Sequence, residues 1–255
     1  MKKSRSWIIL TLVLYLLFLF WTMPADYVLA LMRKYEIVPA GGYTVAGLDG
    51  AWTDGRILAL EVGGLEVTDL QWRFQPGALA VGRLQFAVSG GLGDGSTEGV
   101  VRLGFDSVEL GKIRGRVSAD FLGRRFLPGV KLTGVLETEE LSLVAEDGYP
   151  VEAAGRLLWS NARVESPYRV GLGGVAVDLS TDSDGIVLKL NDTGGALRAG
   201  GLGILSPDGK YSFDGSLGAR QGDSSELATY LQILGRPEAD GMVKIGYNGQ
   251  LPRLF

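Results

Sequence analysis

The chain opens with one uninterrupted apolar run and then changes character. Trp7 to Met23 (WIILTLVLYLLFLFWTM) holds no charged side chain, whereas Lys2, Lys3 and Arg5 stand immediately before it. As a helix this run would reach about 25 Å, the lower end of what a bilayer core demands. Cations before the span and none directly after it favour a cytoplasmic N-terminus and an exported remainder. Trp7 and Trp21 lie near the two ends, where indole rings favour the headgroup layer. A cleaved signal peptide is the competing reading, with Val28-Leu29-Ala30 as a small-residue cleavage site. The run is longer than the ~7–15-residue apolar core of such peptides and carries Tyr15, Phe18, Phe20 and Trp21, so a retained anchor is preferred. The pattern predicts a cytoplasmic tip at residues 1–6, a transmembrane anchor at 7–23, and a juxtamembrane helix and linker at 24–42. Within the last, Asp26 to Tyr35 reads as helix, with Arg33 and Lys34 where cations suit the helix dipole. Pro39-Ala40-Gly41-Gly42 then breaks it.

From residue 43 to 255 the period becomes two. Ile113, Gly115, Val117, Ala119 and Phe121 alternate with Arg114, Arg116, Ser118 and Asp120; Tyr211, Phe213, Gly215 and Leu217 alternate with Ser212, Asp214 and Ser216. Val243, Ile245, Tyr247 and Leu251 alternate with Lys244, Asn248 and Gln250. Such patterns give a sheet one apolar and one polar face. Strand-like runs recur at roughly 8–12-residue spacing, many separated by Asp-Gly turn signals at Asp54, Asp94, Asp147, Asp184 and Asp208. The expected fold is mainly β: the anchor, then a large, curled, antiparallel sheet domain of on the order of a dozen strands. One short C-terminal helix interrupts it. Asp223 and Glu226 form a capping-box-like start, Leu227, Tyr230, Leu231 and Leu234 fall at helical spacing, and Gly235 and Pro237 stop it. A weaker helix candidate is Phe121 to Leu127, before Pro128-Gly129.

Composition narrows the function classes. The 39 glycines and 46% hydrophobic residues describe a turn-rich globular body. A net charge of −4, without a basic tract beyond the N-terminal tip, lacks the electrostatic footprint of a nucleic-acid binder. The chain has no His and no Cys, which removes Ser-His-Asp and Cys-His catalysis, disulfides and the common zinc sites. An enzyme is not expected, and no catalytic, cofactor-binding or metal-binding residue is assigned.

Weaker chemical signals have plainer readings. Ser180, Asp182, Asp184 and Gly185 start like a calcium loop, but Asn191 stands where the bidentate Glu belongs, so a hairpin turn is expected. Gly91 to Gly95 and Gly200 to Gly203 lack a following Lys-Ser/Thr and read as hairpin tips rather than phosphate loops. Glu139 and Glu140, like Asp106 and Glu109, invite a paired-acid mechanism, but neighbours on a strand point to opposite faces. Arg114, Arg116, Arg124 and Arg125 suit a solvated face, or contact with anionic lipid or an acidic partner. Trp52 and Trp72 suit core packing beside tight turns, or a docking patch.

Several local patterns together resemble the type II secretion system protein N family. Gly47-Leu48-Asp49-Gly50-Ala51-Trp52-Thr53-Asp54-Gly55 is similar to its Gly-x-x-Trp-x-Gly stretch, with the Trp–Gly gap one residue longer. Leu70 to Pro76, with Trp72 and then Leu79, resembles its Leu-x-Trp-x-x-x-Pro segment. Leu231 to Gly235, followed by Asp240-Gly241, resembles its closing helix, turn and strand. The candidate partner or packing motif is therefore Gly50, Trp52, Gly55, Trp72, Pro76, Gly235 and Gly241. The resemblance implies an inner-membrane accessory component of type II secretion, with a periplasmic β domain that contacts other secretion components. The same plan resembles, more distantly, AsmA-like and TamB-like β-groove proteins, which implies the alternative of a phospholipid-handling groove.

Overall fold

The computed structural model describes residues 2–35, 43–62, 65–121, 129–166, 169–220, 225–251 and 253. Two helices lead the chain, α1 (Lys2–Trp21) and α2 (Ala25–Lys34). Pro24 separates them, since proline cannot donate the backbone bond that would continue α1. The described side chains of α1, Trp7 and residues 10–21, are all exposed, its large apolar ones by 45–69%. Over described side chains alone, no helix is long and apolar enough to cross a membrane.

All strands described belong to one antiparallel sheet in sequential order: β1 (Tyr43–Ala51), β2 (Asp54–Val62), β3 (Leu65–Phe74), β4 (Leu84–Leu92), β5 (Gly95–Leu103), β6 (Ser107–Ser118), β7 (Lys131–Glu146), β8 (Tyr149–Ser166), β9 (Val170–Asp182), β10 (Gly185–Gly194), β11 (Leu197–Leu205), β12 (Lys210–Ala219) and β13 (Met242–Gln250). A short 3₁₀ segment, Pro76–Val81, joins β3 to β4. Helix α3 (Ser225–Leu234) lies between β12 and β13. The sequential order follows from tight turns. Asp147 and Gly148, for instance, take φ of +49° and +81°, the doubly left-handed geometry that matches the twist of hairpin strands.

Register places the apolar positions on one face across many strands. Leu136 pairs with Val117 and Trp159, and Trp159 with Val175. Thr138 pairs with Leu157, which pairs with Val177 and so with Leu190. Leu217 pairs with Ala199 and Val243. The opposite face carries cross-strand ion pairs such as Arg116–Glu137 at 2.8 Å and Arg156–Asp178 at 3.4 Å.

The sheet is curled, and its bulges show where. Asp69, Lys112, Glu140 and Asn161 all have φ near +50°, and each coincides with a slip in strand register. An extra residue there bends the strand and increases local twist. The curl brings the Tyr149 ring, at the start of β8, directly against Gly209 in the β11–β12 turn, 2.6 Å from where a Cβ would sit. Three strand spacings of a flat sheet would hold them about 14 Å apart.

Two apolar clusters fill parts of this face. Leu227 and Leu231 of α3 pack on Val170, Leu197, Ala199 and Val243, with Tyr230 beside them. The predicted stripe is therefore the buried side of α3; the Leu234 side chain and Asp223 lie outside the described residues. Leu132 and Leu136 form a second cluster with Ala119. Here the alternation predicted through Phe121 stops early: β6 ends at Ser118, and residues 119–121 are helical, with Ala119 tucked against β7. The rest of that helix candidate, and Arg124 and Arg125, lie outside the described residues.

Asp192 ties the β10–β11 turn to the end of β12. Its carboxylate accepts from the Ala199 N–H at 3.1 Å, the Gly194 N–H at 3.2 Å and the Arg220 guanidinium at 2.6 Å. Burial pushes the Asp192 carboxyl up, but the Ala199 N–H, Arg220 and the Gly194 N–H outweigh it and hold the pKa below its usual value.

Candidate functional site

The densest meeting of sequence motifs lies where α1 ends against the first hairpin. A helix leaves its last carbonyls without intrahelical partners, and the β1–β2 turn supplies donors for them. The Trp52 indole N–H donates to the Phe20 carbonyl at 2.6 Å, and the Thr53 hydroxyl to the Trp21 carbonyl at 3.2 Å. The Trp52 amide donates to the Met23 carbonyl at 3.1 Å, and Pro24 forms a bridge with Ala51. From the sheet side, the Trp72 indole donates to the Trp52 carbonyl at 3.0 Å and the Phe74 amide to the Thr53 carbonyl. Thr53 is accordingly the buried polar residue of the joint.

Aromatic packing seals these bonds. The Trp52 ring lies 5.1 Å from Phe20, 6.5 Å from Trp21, 5.2 Å from Phe74 and 6.4 Å from Phe86. Trp21 also meets Phe74 edge-on at 5.6 Å. Offset and edge-to-face rings at these separations contribute beyond their buried area. The joint is a hydrogen-bonded, aromatic-lined seat for the end of a helix.

Two glycines make the seat geometrically possible. Gly50 has φ +95°, and a Cβ there would stand 2.6 Å from the Asp54 carbonyl oxygen. At Gly55 a Cβ would collide with the Trp72 ring and stand 2.7 Å from the Asp49 carbonyl oxygen. The turn can close, and Trp72 can lie across β2, because both side chains are absent. Pro76 opens the 3₁₀ segment, where its missing N–H costs nothing.

The structure thus divides the motif predicted from sequence. Gly50, Trp52, Gly55, Trp72 and Pro76 gather around the joint, whereas Gly235 and Gly241 flank the turn between α3 and β13. Gly235 sits against Val243, and Gly241, at φ +76°, closes the turn by donating to the Glu238 carbonyl. Trp21 belongs to the joint's aromatic cluster, while Trp7 is exposed near the other end of α1. Lys2, Lys3 and Arg5 lie on the α1 backbone, and their side chains are outside the described residues. Sequence reasoning missed Thr53, Phe86 and the three carbonyl acceptors of residues 20–23. The helix carbonyls bonded by Trp52 and Thr53 lie 32 residues away in the chain, and neither local period nor composition marks such pairs.

Other sequence candidates resolve into structure. Asp182 accepts from the Asp184 N–H at 2.9 Å within the β9–β10 hairpin turn. Gly200 to Gly203 lie inside β11 rather than at a hairpin tip, with the Phe213 ring across Gly201. Glu139 and Glu140 do not point to opposite faces. The bulge at Glu140 breaks the alternation: Glu140 pairs with Arg114 at 2.6 Å, and Glu139 stands opposite Arg156, both on the polar face.

Among the described residues no strand pairs with the far edge of the sheet. The Leu251 N–H donates to the Gly209 carbonyl, so the odd residues of β13 bond inward and the even ones outward. The Met242 carbonyl is taken by the Glu238 N–H. The outward groups of Lys244, Gly246, Asn248 and Gln250 form a strand-length edge, while the Lys244 side chain folds back to Glu238 at 2.8 Å. The β1 edge, by contrast, is flanked by α2, whose Arg33 donates to the Tyr43 hydroxyl at 2.8 Å.

Residues 41–246 match the family described as type II secretion system (T2SS), protein N. The chain is 25% identical over 224 residues to the type II secretion system protein N of Vibrio cholerae, covering 82% of this chain and 86% of that one. It is 26% identical to that of Aeromonas hydrophila over an alignment of 262 residues, covering 98% and 100%. With that of Klebsiella pneumoniae it shares 30% over 100 residues, covering 38% and 40%. No solved structure matches.

Proposed function

This chain belongs to the type II secretion system protein N family, and from that premise we propose that it is a membrane-anchored, non-enzymatic accessory of type II secretion. In this reading α1 spans the inner membrane with its N-terminus in the cytoplasm, and the sheet stands in the periplasm and works through contacts with other secretion components. The observation that carries it is the joint: a helix of continuous apolar exposure whose last carbonyls are bonded directly into the first hairpin of the sheet. Helix α1 is 20 residues long, and its charge-free part from Trp7 onward reaches the lower end of what a bilayer core demands. Lys2, Lys3 and Arg5 on its N-terminal side favour the stated orientation.

Confinement to the membrane plane raises the effective concentration of the sheet near other anchored components. The open β13 edge suits docking by strand addition, in which main-chain bonds supply the affinity. The phospholipid-groove alternative has no counterpart in the relatives' names, and at the α3 end of β9–β13 the apolar face is packed by Leu227 and Leu231. The test is complementation of a strain lacking the protein, with periplasmic reporters fused after Leu251. Restored export of a secreted substrate by the full chain, and none by a chain lacking residues 2–21, is expected. Equal rescue by the helix-less chain would overturn the anchored reading.

A further inference from the structure

The end of the sheet nearest the α1 joint carries apolar side chains that neither α1 nor the clusters cover. Register traces them from the joint. Trp52 stacks on Phe74 and Phe86; Phe86 pairs with Val101; and one step further toward the rim Leu84 pairs with Leu103. Beyond these pairs lie two connections, the 3₁₀ segment and the β5–β6 turn. Phe105, at the tip of that turn, is fully exposed at 104%, and Val81, closing the 3₁₀ segment, is 74% exposed. Leu79 and Leu84 beside them are also exposed.

These side chains are held out rather than trailing. The 3₁₀ segment starts with Pro76 and is closed by bonds from Gly82 to the Leu79 carbonyl and from Arg83 to the Ala78 carbonyl. The Gln75 N–H donates to the Gln85 carbonyl at 2.7 Å, and the Gly104 N–H to the Ser107 carbonyl at 2.8 Å, fixing the bases of both connections. Arg83 is tied back to Glu109 at 3.0 Å, leaving Val81 and Phe105 as the projecting groups. A fixed phenyl ring and isopropyl group in water cost free energy unless something apolar receives them.

We propose that this rim inserts into the bilayer surface from which α1 emerges, with Val81 and Phe105 as its wedges. The inference rests on the reading of α1 as a membrane span, because only then does the joint bring this rim to the lipid headgroups. What favours lipid as the occupant is position: the exposed apolar surface of α1 reaches the joint at Phe20 and Trp21, ring contacts carry the apolar row on through the buried Phe74 to Phe86, and the rim begins at the β3–β4 connection at this same end of the sheet. Shallow burial of a small apolar face in the headgroup layer is a recognised mode of membrane contact. A helix in the bilayer and a wedge on its surface make two attachment points. Together they would set the tilt of the sheet, and so the direction in which the β13 edge is presented.

The chain has no cysteine, so single cysteines report cleanly. Leu14→Cys, Val81→Cys, Phe105→Cys and Ala239→Cys, each in the full chain, are labelled with an environment-sensitive nitrobenzoxadiazole dye. They are reconstituted into phosphatidylethanolamine–phosphatidylglycerol vesicles with or without lipids bearing nitroxide quenchers at both headgroup and mid-chain depth. The proposal expects loss of emission at 81 and 105 comparable to that at 14, and none at 239, which lies at the opposite end of the sheet. Quenching at 14 with none at 81 and 105 would overturn the rim insertion while leaving the anchor intact. Absence of quenching at 14 would remove the anchor reading and the proposal with it.

Discussion

Replacing Trp52 by Phe keeps an aromatic ring in the joint and deletes one donor, the indole N–H that bonds the Phe20 carbonyl at 2.6 Å. The bond from Trp72 to the Trp52 carbonyl and that from the Trp52 amide to Met23 involve backbone atoms and survive the change. A single hydrogen bond contributes about 0.5–1.5 kcal/mol net, which corresponds to a roughly 2- to 13-fold rise in the opening equilibrium of the joint. Trp52→Ala also removes the contacts with Phe20, Trp21, Phe74 and Phe86. Truncating a large aromatic costs about 3–5 kcal/mol in a core; because Trp52 is only half-buried, the lower end, on the order of 100-fold, is expected. The assay is amide hydrogen exchange of the full chain in detergent micelles, comparing a peptide covering residues 50–56 with one covering 225–234. Exchange should accelerate near the joint in the order wild type, Phe, Ala, with the α3 peptide unchanged. Equal rates in all three at residues 50–56, or uniform acceleration in both peptides, would refute the joint as a local clamp.

Other substitutions probe the rest of the fold. Gly55→Ala should mimic the joint defect, because the new Cβ meets the Trp72 ring, and the same exchange measurement checks it. Leu227→Ala should cost about 2–5 kcal/mol, since this side chain is buried on the sheet; thermal unfolding should fall by about 4–20 °C. Asp192→Asn removes the charge that answers Arg220 and two amides, and should destabilise the α3 end by about 1–3 kcal/mol at neutral pH. The Asp192 carboxyl has a folded-state pKa below its unfolded value, so its contribution is present above the unfolded pKa of about 3.9 and is lost as pH falls through the lower folded value. Chemical denaturation of wild type and Asp192→Asn between neutral pH and pH 3 should show the gap between them narrowing only below about pH 4. Arg116→Ala should change stability by less than about 1 kcal/mol in the same measurement, because its partner Glu137 is reached from an exposed position.

The period-two alternation carried most of the architecture. Tyr211, Phe213, Gly215 and Leu217 lie on one face of β12, and Val243, Ile245 and Tyr247 stand opposite the last three of them on β13, in keeping with their spacing. The stripe of Leu227, Tyr230 and Leu231 likewise foretold which side of α3 meets the sheet. Alternation failed where a residue other than glycine takes a left-handed conformation. Glu140 is the clearest case: nothing in Glu139-Glu140-Leu141 signals φ of +55°, yet that single residue turns both carboxylates to one face. Turn chemistry marked Asp147-Gly148 well, whereas the Gly200–Gly203 stretch misled because a ring from the next strand, Phe213, uses its empty space. The joint was half legible. Trp52, Trp72 and the neighbouring glycines stood out as residues, but their acceptors are backbone carbonyls of a helix end, which any sequence would provide.

The most direct test of the account places a photoreactive side chain at Tyr247 or Asn248, on the open β13 strand, in cells that carry an active secretion system. Ultraviolet-induced adducts with identified type II secretion components are expected in the native membrane, and they should be lost when β13 is blocked by Gly246→Pro. Adducts with phospholipid alone, or none with any secretion component while export proceeds normally, would contradict the account.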